Sequence, residues 1–273
     1  MSATQQQDLA ATFRALHQGA GILILPNAWD AGSALLMQSL GAPAVATSSA
    51  AVAWAQGYGD GDQLPVATLA ATVAAITRKL KLPLTVDFEG GYSDEPRMVG
   101  ENMAALIDAG AVGINIEDGR ASPELLCRKI EAVRQAAERA GVRLFINARS
   151  DVYLKGLVAA EQRVAEMLAR SERYAQAGAD GLFAAGARLP DEIAAICAGS
   201  RLPVNILALP GVPPAAELAR LGVRRVSSGS GIAESVYARI GELTQGFLQA
   251  GDGRALGERA IAYAELNGLM ARD

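Results

Sequence analysis

The chain has 273 residues with a formal net charge of −4, and 51% of its residues are hydrophobic although only 5% are aromatic. This length suits a single α/β barrel, because such barrels commonly need about 250 residues in one domain. The mildly acidic charge is spread along the chain without a basic block, which argues against nucleic acid as a partner.

Short apolar or β-branched segments alternate with helical patterns along the chain. Eight segments predict strands, in the order GILILPN, PAVATSS, PLTVDFE, VGINIED, RLFINAR, GLFAAG, PVNILA and RRVSSG. Amphipathic patterns between them predict helices over 66–80, 96–109, 123–140, 159–177 and 190–198.

Eight βα units joined by short right-handed crossovers close most economically into a (β/α)8 TIM barrel. An open doubly wound sheet is the alternative, but no GxGxxG motif follows the first strand. We therefore predict one barrel domain over 1–273. It includes an N-terminal helix within 1–20 and extra C-terminal helices within 233–273.

The cysteines and the histidine limit the chemistry. Cys127 and Cys197 lie far apart in helix-like sequence, which supports neither a disulfide framework nor a thiolate zinc site. His17 is the only histidine and precedes the first strand, so a histidine-based triad is excluded. The N-terminal segment lacks a secretory signal, and the most apolar stretch, over 42–55, is too short to span a membrane. We expect a cytoplasmic protein without a membrane partner.

Charged and amide side chains end several predicted strands, where barrel enzymes place their chemistry. These residues are Asp87 and Glu89, Asn115 and Glu117, Asn147 and Arg149, and Asn205. Buried carboxylates without partners are costly, and oxygen ligands with no nearby histidine or cysteine favour Mg2+ or Mn2+. Arg149 offers a planar fork suited to a substrate carboxylate. The alternative is an internal ring of ion pairs in which Arg149 balances Glu117 without a metal.

Weaker candidates lie in the loops. Asp60, in AQGYGDGDQ, is either another acid near the metal or a turn residue. Asp30 is at least as suited to a helix N-cap as to the site. Ser48 and Ser49 either present hydroxyl and N–H groups to an oxyanion or cap the chain after the second strand. The SSGSG segment at 227–231 is a weak candidate for a phosphate cradle.

Six motifs together resemble the isocitrate lyase/phosphoenolpyruvate mutase superfamily over most of 20–210. They are PNAWDAGSA, AVATSSAAVAWAQGYGD, PLTVDFEGGY, AGAVGINIEDG, FINARSDVY and LPVNI. In that family D-x-[DE]-x-G-Y holds the metal, so the resemblance implies Asp87 as the direct or near-direct ligand. It implies that Asp60, Glu89 and Glu117 act largely through metal-bound waters.

The resemblance also assigns substrate contacts. It implies that the amides of the second strand hold the substrate carboxylate, and that the remaining contacts and pocket lining come from four other strand ends. The implied substrate-binding residues are Trp29, Asp30, Ser48, Ser49, Ala50, Asp87, Arg149 and Asn205. Relatives exchange a C-terminal helix between subunits, which implies a homodimer or homotetramer.

Two departures from the family affect the choice of reaction. The chain continues as EDGRASPELLCRKI after the fourth strand, without the Lys-Lys-Cys-Gly-His segment of the lyases or the lysine-bearing loop of the mutases and phosphonopyruvate hydrolases. Cys127 lies in this region but inside a predicted helix, which favours a small packed residue. Thr47-Ser48-Ser49 replaces the usual Ser-Gly.

We expect Mg2+-assisted cleavage of a carbon–carbon bond in a 2-oxo or 2-hydroxy carboxylic acid through an enolate. Decarboxylation of an oxaloacetate-like substrate is favoured, because departing CO2 needs no general acid. The candidate catalytic residues are Arg149 and Glu117, and the proton donor for lysis is Tyr58, Tyr92 or a metal-bound water. Phosphorus–carbon chemistry and a non-catalytic 2-oxo acid binding protein are alternatives. A Schiff-base aldolase is set aside because no lysine lies in a strand facing the mouth.

Overall fold

The strands of the computed structural model all belong to one parallel sheet. The structure describes residues 1–19 and 21–271, so positions 20, 272 and 273 of the predicted terminal segments lie outside the described residues. In chain order the strands are β1 Leu23–Leu25, β2 Asn27–Ala28, β3 Val45–Thr47, β4 Leu84–Asp87, β5 Gly113–Glu117, β6 Phe145–Ser150, β7 Gly181–Ala184, β8 Val204–Leu207 and β9 Arg225–Ser227.

The sheet closes into the predicted TIM barrel. Its order is β1-β9-β8-β7-β6-β5-β4-β3-β2, and the first predicted strand supplies both ends of that order. Pro26 divides this strand because proline has no N–H for the ladder. The part before Pro26 pairs with β9, and the part after it pairs with β3. The eight predicted strands are therefore all present, the first in two pieces.

Helices surround the barrel at the predicted places. They are α1 Ala3–Leu16, α2 Ala31–Ser39, α3 Ser49–Ala55, α4 Val66–Thr77, α5 Pro96–Asp108, α6 Pro123–Arg139, α7 Arg163–Gln176, α8 Pro190–Gly199, α9 Ala215–Arg220, α10 Gly231–Ala250, α11 Arg254–Gly257 and α12 Tyr263–Ala271. The helix predicted over 159–177 is a 3-10 turn at Ala160–Gln162 followed by α7. Within 1–19 and 21–271, no helix has the length and apolar character needed to cross a membrane.

Helix α1 covers the N-terminal end of the barrel. Phe13 is fully buried, and its ring meets the Phe145 ring edge to face with centroids 5.5 Å apart. The His17 ring stacks on the Phe145 ring with centroids 3.9 Å apart, and His17 Nδ1 donates a hydrogen bond to the Phe13 carbonyl at 2.8 Å. Gly113 leaves the room for this packing, because a Cβ there would lie 2.7 Å from the Phe13 ring. The lower end of the barrel is thus filled by aromatic side chains.

The outer wall near β1 is not covered in the same way. Ile24 points outward and is 58% exposed. Of the twenty residues of α10, which follows β9, only Ala233 is buried. An apolar cavity of about 660 Å³ lies beside Ile24, Leu40 and Ile232. This helix therefore buries little apolar surface against its own barrel.

Candidate active site

Asp87 ends β4 at the C-terminal mouth of the barrel and is held from two sides. Its Oδ2 accepts the backbone N–H of Ser49 at 3.2 Å and the Ser49 hydroxyl at 2.9 Å. Its Oδ1 lies 3.5 Å from Asn115 Nδ2, a contact at the limit of a hydrogen bond. Asp87 pairs in register with Asn115 on β5, so both side chains enter the barrel. The carboxylate is oriented, and Oδ1 is the more weakly engaged oxygen.

Glu89 forms hydrogen bonds to the loop after α3. The side chain is buried, and its Oε2 accepts the backbone N–H groups of Gly61, at 2.9 Å, and of Asp62. Its Oε1 accepts the Tyr92 hydroxyl at 2.6 Å. Burial raises the pKa of Glu89, although these hydrogen bonds oppose the rise. Because protein donors occupy both oxygens, Glu89 anchors the loop that carries Asp60, which is itself exposed.

Glu117 and Arg149 meet at the ends of β5 and β6. They are partners in the strand register, and Arg149 Nη1 lies 2.8 Å from Glu117 Oε2. The same guanidinium donates two hydrogen bonds to Asp151, from Nε to Oδ1 at 2.8 Å and from Nη2 to Oδ2 at 3.3 Å. Lys155 Nζ lies 2.9 Å from Asp151 Oδ2 and 3.7 Å from Glu117 Oε1. Two cations and two carboxylates therefore form a ring of ion pairs.

The charged groups of this ring differ in how their environment shifts their pKa values. Burial raises the pKa of Glu117 to about 7, with Arg149 opposing the rise and the charges of Asp151 and Asp87 adding to it. Burial by itself would lower the pKa of Arg149, but Glu117 and Asp151 outweigh it and the net shift is upward. The pKa of Lys155 is likewise raised, since Asp151 and Glu117 outweigh its desolvation. The cations therefore stay charged, and Glu117 is the group poised near neutrality.

These residues fit a divalent ion held mainly through water. No three His, Cys, Asp or Glu side chains of the described chain are arranged to ligate an ion together. The oxygens of Glu89 and Glu117 contact protein donors instead. Asp87 remains, with the weakly engaged Oδ1 described above. One carboxylate with several waters is the usual protein environment of Mg2+, so the donor set suits that ion without forming a closed cage.

Other predicted site residues have partners within the protein. Asp30 caps α2, since its Oδ1 accepts the Ser33 N–H at 2.7 Å and the Ser33 hydroxyl at 2.8 Å, while the backbone N–H of Trp29 donates to Ser33 Oγ at 3.1 Å. Ser48 caps α3 through the Ala51 N–H at 3.4 Å. The helix-cap alternative for Asp30 and the chain-cap alternative for Ser48 are thus both present.

The remaining predicted residues lie at different depths. Asn205 is buried inside the barrel, where its Nδ2 donates to Ser227 Oγ at 3.3 Å. Ala50 is half-buried in the first turn of α3. Tyr58 is 41% exposed after the end of α3. In the SSGSG segment, the Gly229 N–H donates to Asn27 Oδ1 at 3.0 Å, so this candidate phosphate donor is already engaged.

Residues 13–248 match the sequence profile of the family described as phosphoenolpyruvate phosphomutase. The chain belongs to the phosphoenolpyruvate mutase family. The predicted superfamily is therefore confirmed, and the matched range spans every strand of the barrel.

Three relatives of this family member extend the comparison. An uncharacterized protein of Mycobacterium tuberculosis is 36% identical over 264 residues, covering 95% of this chain and 96% of its own. A crystal structure of a candidate phosphonomutase from Burkholderia cenocepacia is 43% identical with a TM-score of 0.83, covering 87% and 99%. The oxaloacetate decarboxylase of Rhodopseudomonas palustris is 26% identical over 263 residues, covering 88% and 86%. The named activities among these relatives are thus those of a lyase and a mutase.

Sequence reasoning missed three residues of the site in this family member. Lys155 lies outside every strand, but its loop returns Nζ to the mouth. Its raised pKa keeps the amine protonated, which still disfavours a Schiff base because that chemistry needs the neutral form. Asp151 could have been found, since it follows Arg149 by two residues. Arg225 enters the barrel from β9 and contacts Asn115 at 3.2 Å.

The two cysteines have no visible role in catalysis. Cys127 is half-buried on α6 and packs against the core. Burial, with the charges of Glu131 and Glu124, raises the pKa of its thiol, so the reactive thiolate is disfavoured. Burial raises the pKa of Cys197 to about 11. The prediction that Cys127 is a packed residue agrees with this environment.

Proposed function

We propose that the protein is a Mg2+- or Mn2+-dependent enzyme that cleaves a carbon–carbon bond of a 2-oxo or 2-hydroxy carboxylic acid through an enolate. Decarboxylation of an oxaloacetate-like substrate is the favoured reaction. The observation that carries the proposal is the convergence of an oriented carboxylate, Asp87, with the Arg149–Glu117 pair at one barrel mouth. The similarity to an oxaloacetate decarboxylase supports this choice.

Each group has a task in this reaction. Asp87 would hold the ion, with Asp60 and Glu117 reaching its waters, and Glu89 would fix the loop that carries Asp60. When bound, the ion would supply Lewis-acid polarisation of the substrate carbonyl.

The cations of the ring would serve the substrate. Arg149 is fixed by Asp151 through two hydrogen bonds, so its Nη1 can exchange Glu117 for a substrate carboxylate without losing its orientation. Lys155 adds a second positive charge beside it. Glu117, with a pKa near 7, can hold or release a proton at neutral pH. Departure of CO2 itself requires no acid, which suits a site whose closest hydroxyls already have partners. The enolate left behind would take one proton, from Glu117 or from solvent, to give the 2-oxo acid product.

Retro-aldol lysis of a 2-hydroxy acid would need a proton donor. The Tyr92 hydroxyl is committed to Glu89, and burial together with that carboxylate raises its pKa, so it is a poor donor. Tyr58 is exposed and would have to move toward the substrate. Phosphorus–carbon chemistry is a second candidate, favoured by the 43% identity to a candidate phosphonomutase.

We also propose that the protein acts in the cytoplasm as a homodimer or homotetramer. The exposed α10 and the apolar cavity beside Ile24 and Ile232 support exchange of this helix between subunits. Light scattering on the purified protein should give a dimer or tetramer mass. Ile240 is 51% exposed on α10, and Ile240→Glu should shift the mass toward the monomer. A monomeric wild-type protein would contradict this proposal.

The function is tested by a substrate screen. Oxaloacetate, isocitrate, methylisocitrate, substituted malates and phosphonopyruvate are assayed with and without Mg2+, using wild type, Asp87→Ala and the exposed control Glu124→Gln. We expect Mg2+-dependent pyruvate formation from oxaloacetate that Asp87→Ala abolishes and the control retains. Turnover of phosphonopyruvate alone would favour phosphorus–carbon chemistry. Thermal stabilisation by 2-oxo acids without any turnover would indicate a binding protein.

A further inference from the structure

Arg225 is an arginine buried without a carboxylate partner. It is 1% exposed and is the largest fully buried side chain among the described residues. Its Nη2 donates to Asn115 Oδ1 at 3.2 Å, whereas Nε and Nη1 have no hydrogen-bond partner in the described chain. Within 1–19 and 21–271 it forms no ion pair. A lone buried charge costs several kcal/mol of folding free energy. Packing alone therefore does not explain an arginine at this position.

The surroundings of Arg225 direct its charge toward the mouth. Below it, the guanidinium lies 5.9 Å from the centre of the Phe13 ring. His17 on the same helix is kept neutral because burial, followed by the charge of Arg225, lowers its pKa to about 3. Above it lies Asn115, whose amide faces Asp87. Burial lowers the pKa of Arg225 to about 9, and the negative charge of Asp87 opposes that shift.

A hydrogen bond alone would not require an arginine here. Asn115 Oδ1 already accepts Asn147 Nδ2 at 2.9 Å, which is enough to turn its own Nδ2 toward Asp87. The feature that Arg225 adds, and that a neutral donor would not, is a positive charge. In a low-dielectric interior this charge is poorly screened and reaches the mouth.

The charges of the mouth show why that would matter. Asp87, Glu117 and Asp151 bring three carboxylates, and Arg149 and Lys155 bring two cations. When Glu117 is ionised, these five groups carry one more negative than positive charge, and an ionised Glu89 would add another, so the mouth would repel a dianionic substrate. The buried guanidinium offsets part of this negative charge, which would favour a dicarboxylate that binds together with a divalent cation.

We propose that Arg225 is a positioning residue, a fixed positive charge set beneath the mouth that acts through Asn115 and Asp87 to favour binding of an anionic 2-oxo acid. The inference rests on the proposed function only in requiring an anion at the mouth. At an effective dielectric constant of about 20, two unit charges about 10 Å apart change a binding constant on the order of tenfold.

Three substitutions separate charge from hydrogen bonding. Arg225→Lys keeps the charge, Arg225→Gln keeps an N–H donor without charge, and Arg225→Met keeps neither. Calorimetry measures the Kd of oxalate at saturating Mg2+, and separately the Kd of Mg2+ alone. We expect Gln and Met to weaken oxalate on the order of tenfold and to leave Mg2+ binding equal or tighter, with Lys near wild type. A merely structural defect would weaken both ligands.

A second variant keeps the test independent of deleting the arginine. Asn205 is the register partner of Arg225 on β8, and its Oδ1 is buried without a hydrogen-bond partner in the described residues. Asn205→Asp should compensate the guanidinium charge in place and weaken oxalate in the same way, whereas Asn205→Ser, which adds no charge, should not. Equal weakening by both variants would contradict the charge role.

The outcomes separate the two proposals. If Arg225→Gln and Arg225→Lys behave alike, or if oxalate and Mg2+ weaken together, the charge role is overturned while the proposed function stands. If the charge pattern appears but no 2-oxo acid is turned over, only the proposed function fails. If the wild-type protein binds no oxalate, both are overturned.

Discussion

Arg149 and Glu117 face each other across the register of β5 and β6, joined by a contact of 2.8 Å between Nη1 and Oε2. The ion-pair alternative raised from the sequence is thus present at the very rim where a metal and a substrate are proposed. The two interpretations are compatible because only one of the guanidinium nitrogens faces Glu117, and Asp151 holds the others. A substrate carboxylate would compete with Glu117 alone.

Arg149→Lys should therefore lower the activity strongly, although the substitution keeps the positive charge. A lysine ammonium cannot keep the paired contacts with Asp151 while presenting a second donor edge to the substrate. We expect kcat/KM for the substrate found in the screen to fall on the order of a hundredfold, within the range seen when one stabilising donor is removed. The matched control is Arg173→Lys, an exposed arginine paired with Glu124. Equal activity of both variants would contradict the role given to Arg149.

Ser49 and Ser48 are adjacent hydroxyls with different partners. Ser49 donates to Asp87, whereas Ser48 caps α3. Ser49→Ala should weaken Mg2+ binding about tenfold, the equivalent of one hydrogen bond to a charged group. Ser48→Ala should instead cost about 1 kcal/mol of unfolding free energy and leave the metal less affected. Calorimetry and urea unfolding of both variants check the contrast, which fails if the two serines exchange effects.

Asp118, the residue after β5, connects that strand end to α7 and to the end of β6. Its Oδ2 lies 2.7 Å from Arg170 Nη1 and accepts the Tyr174 hydroxyl at 2.6 Å, and its Oδ1 accepts the Asp151 N–H at 2.9 Å. Asp118→Asn would leave the largely buried Arg170 with Glu166, at 2.7 Å, as its carboxylate partner among the described residues, so we expect a loss of about 2–3 kcal/mol in urea unfolding.

The exposed pair formed by Glu124 and Arg173 provides the control for Asp118→Asn. Both of its side chains are more than half exposed, and Glu124→Gln should cost less than about 1 kcal/mol. Similar losses for Asp118→Asn and Glu124→Gln would show that burial does not decide the strength of these pairs.

His17 should make stability depend on pH. Burial, followed by the charge of Arg225, lowers its pKa from 6.5 to about 3, so the folded protein keeps the ring neutral. Below pH 6.5 the unfolded chain takes up a proton that the folded chain refuses, and stability therefore falls as the pH drops from 6.5 toward 3. At pH 5 the loss attributable to His17 is about 2 kcal/mol.

His17→Phe would keep the stacking position on Phe145 and remove the titrating group. The difference in unfolding free energy between wild type and this variant should be constant above pH 7 and should move in favour of the variant between pH 7 and 5. Parallel pH curves for the two proteins would rule out this linkage. Carboxylates common to both proteins cancel in the difference.

The barrel was predictable because its signals are local. Apolar runs with the strand period and amphipathic runs with the helix period recur in order, and the family match and sheet topology agree with them. The only departure in the strands, the break at Pro26, follows from the missing proline N–H.

The hydrogen-bond partners of the site were harder to predict, because they join distant parts of the chain. Glu89 was predicted as an acid near the metal, yet both oxygens contact donors, two of which come from the loop at 61–62. Lys155 reaches the mouth from a loop that carries no strand pattern. Arg225 stands in an RR pair that resembles exposed charge, and only the alternation with Ser227 along β9 indicates that it points inward.

The packing of Phe13 against Phe145 and Gly113 at the lower end of the barrel indicates an order of folding. Phe13 belongs to α1, which precedes every strand of the barrel, but the surface that receives it is made by Gly113 and Phe145, a hundred or more residues later in the chain. Until those strands exist, the helix has nowhere to dock, and its apolar face stays exposed during synthesis. Such a long-range closure is slow to form. Completion of the lower end of the barrel is therefore expected late in folding, as a step that joins the beginning of the chain to its middle.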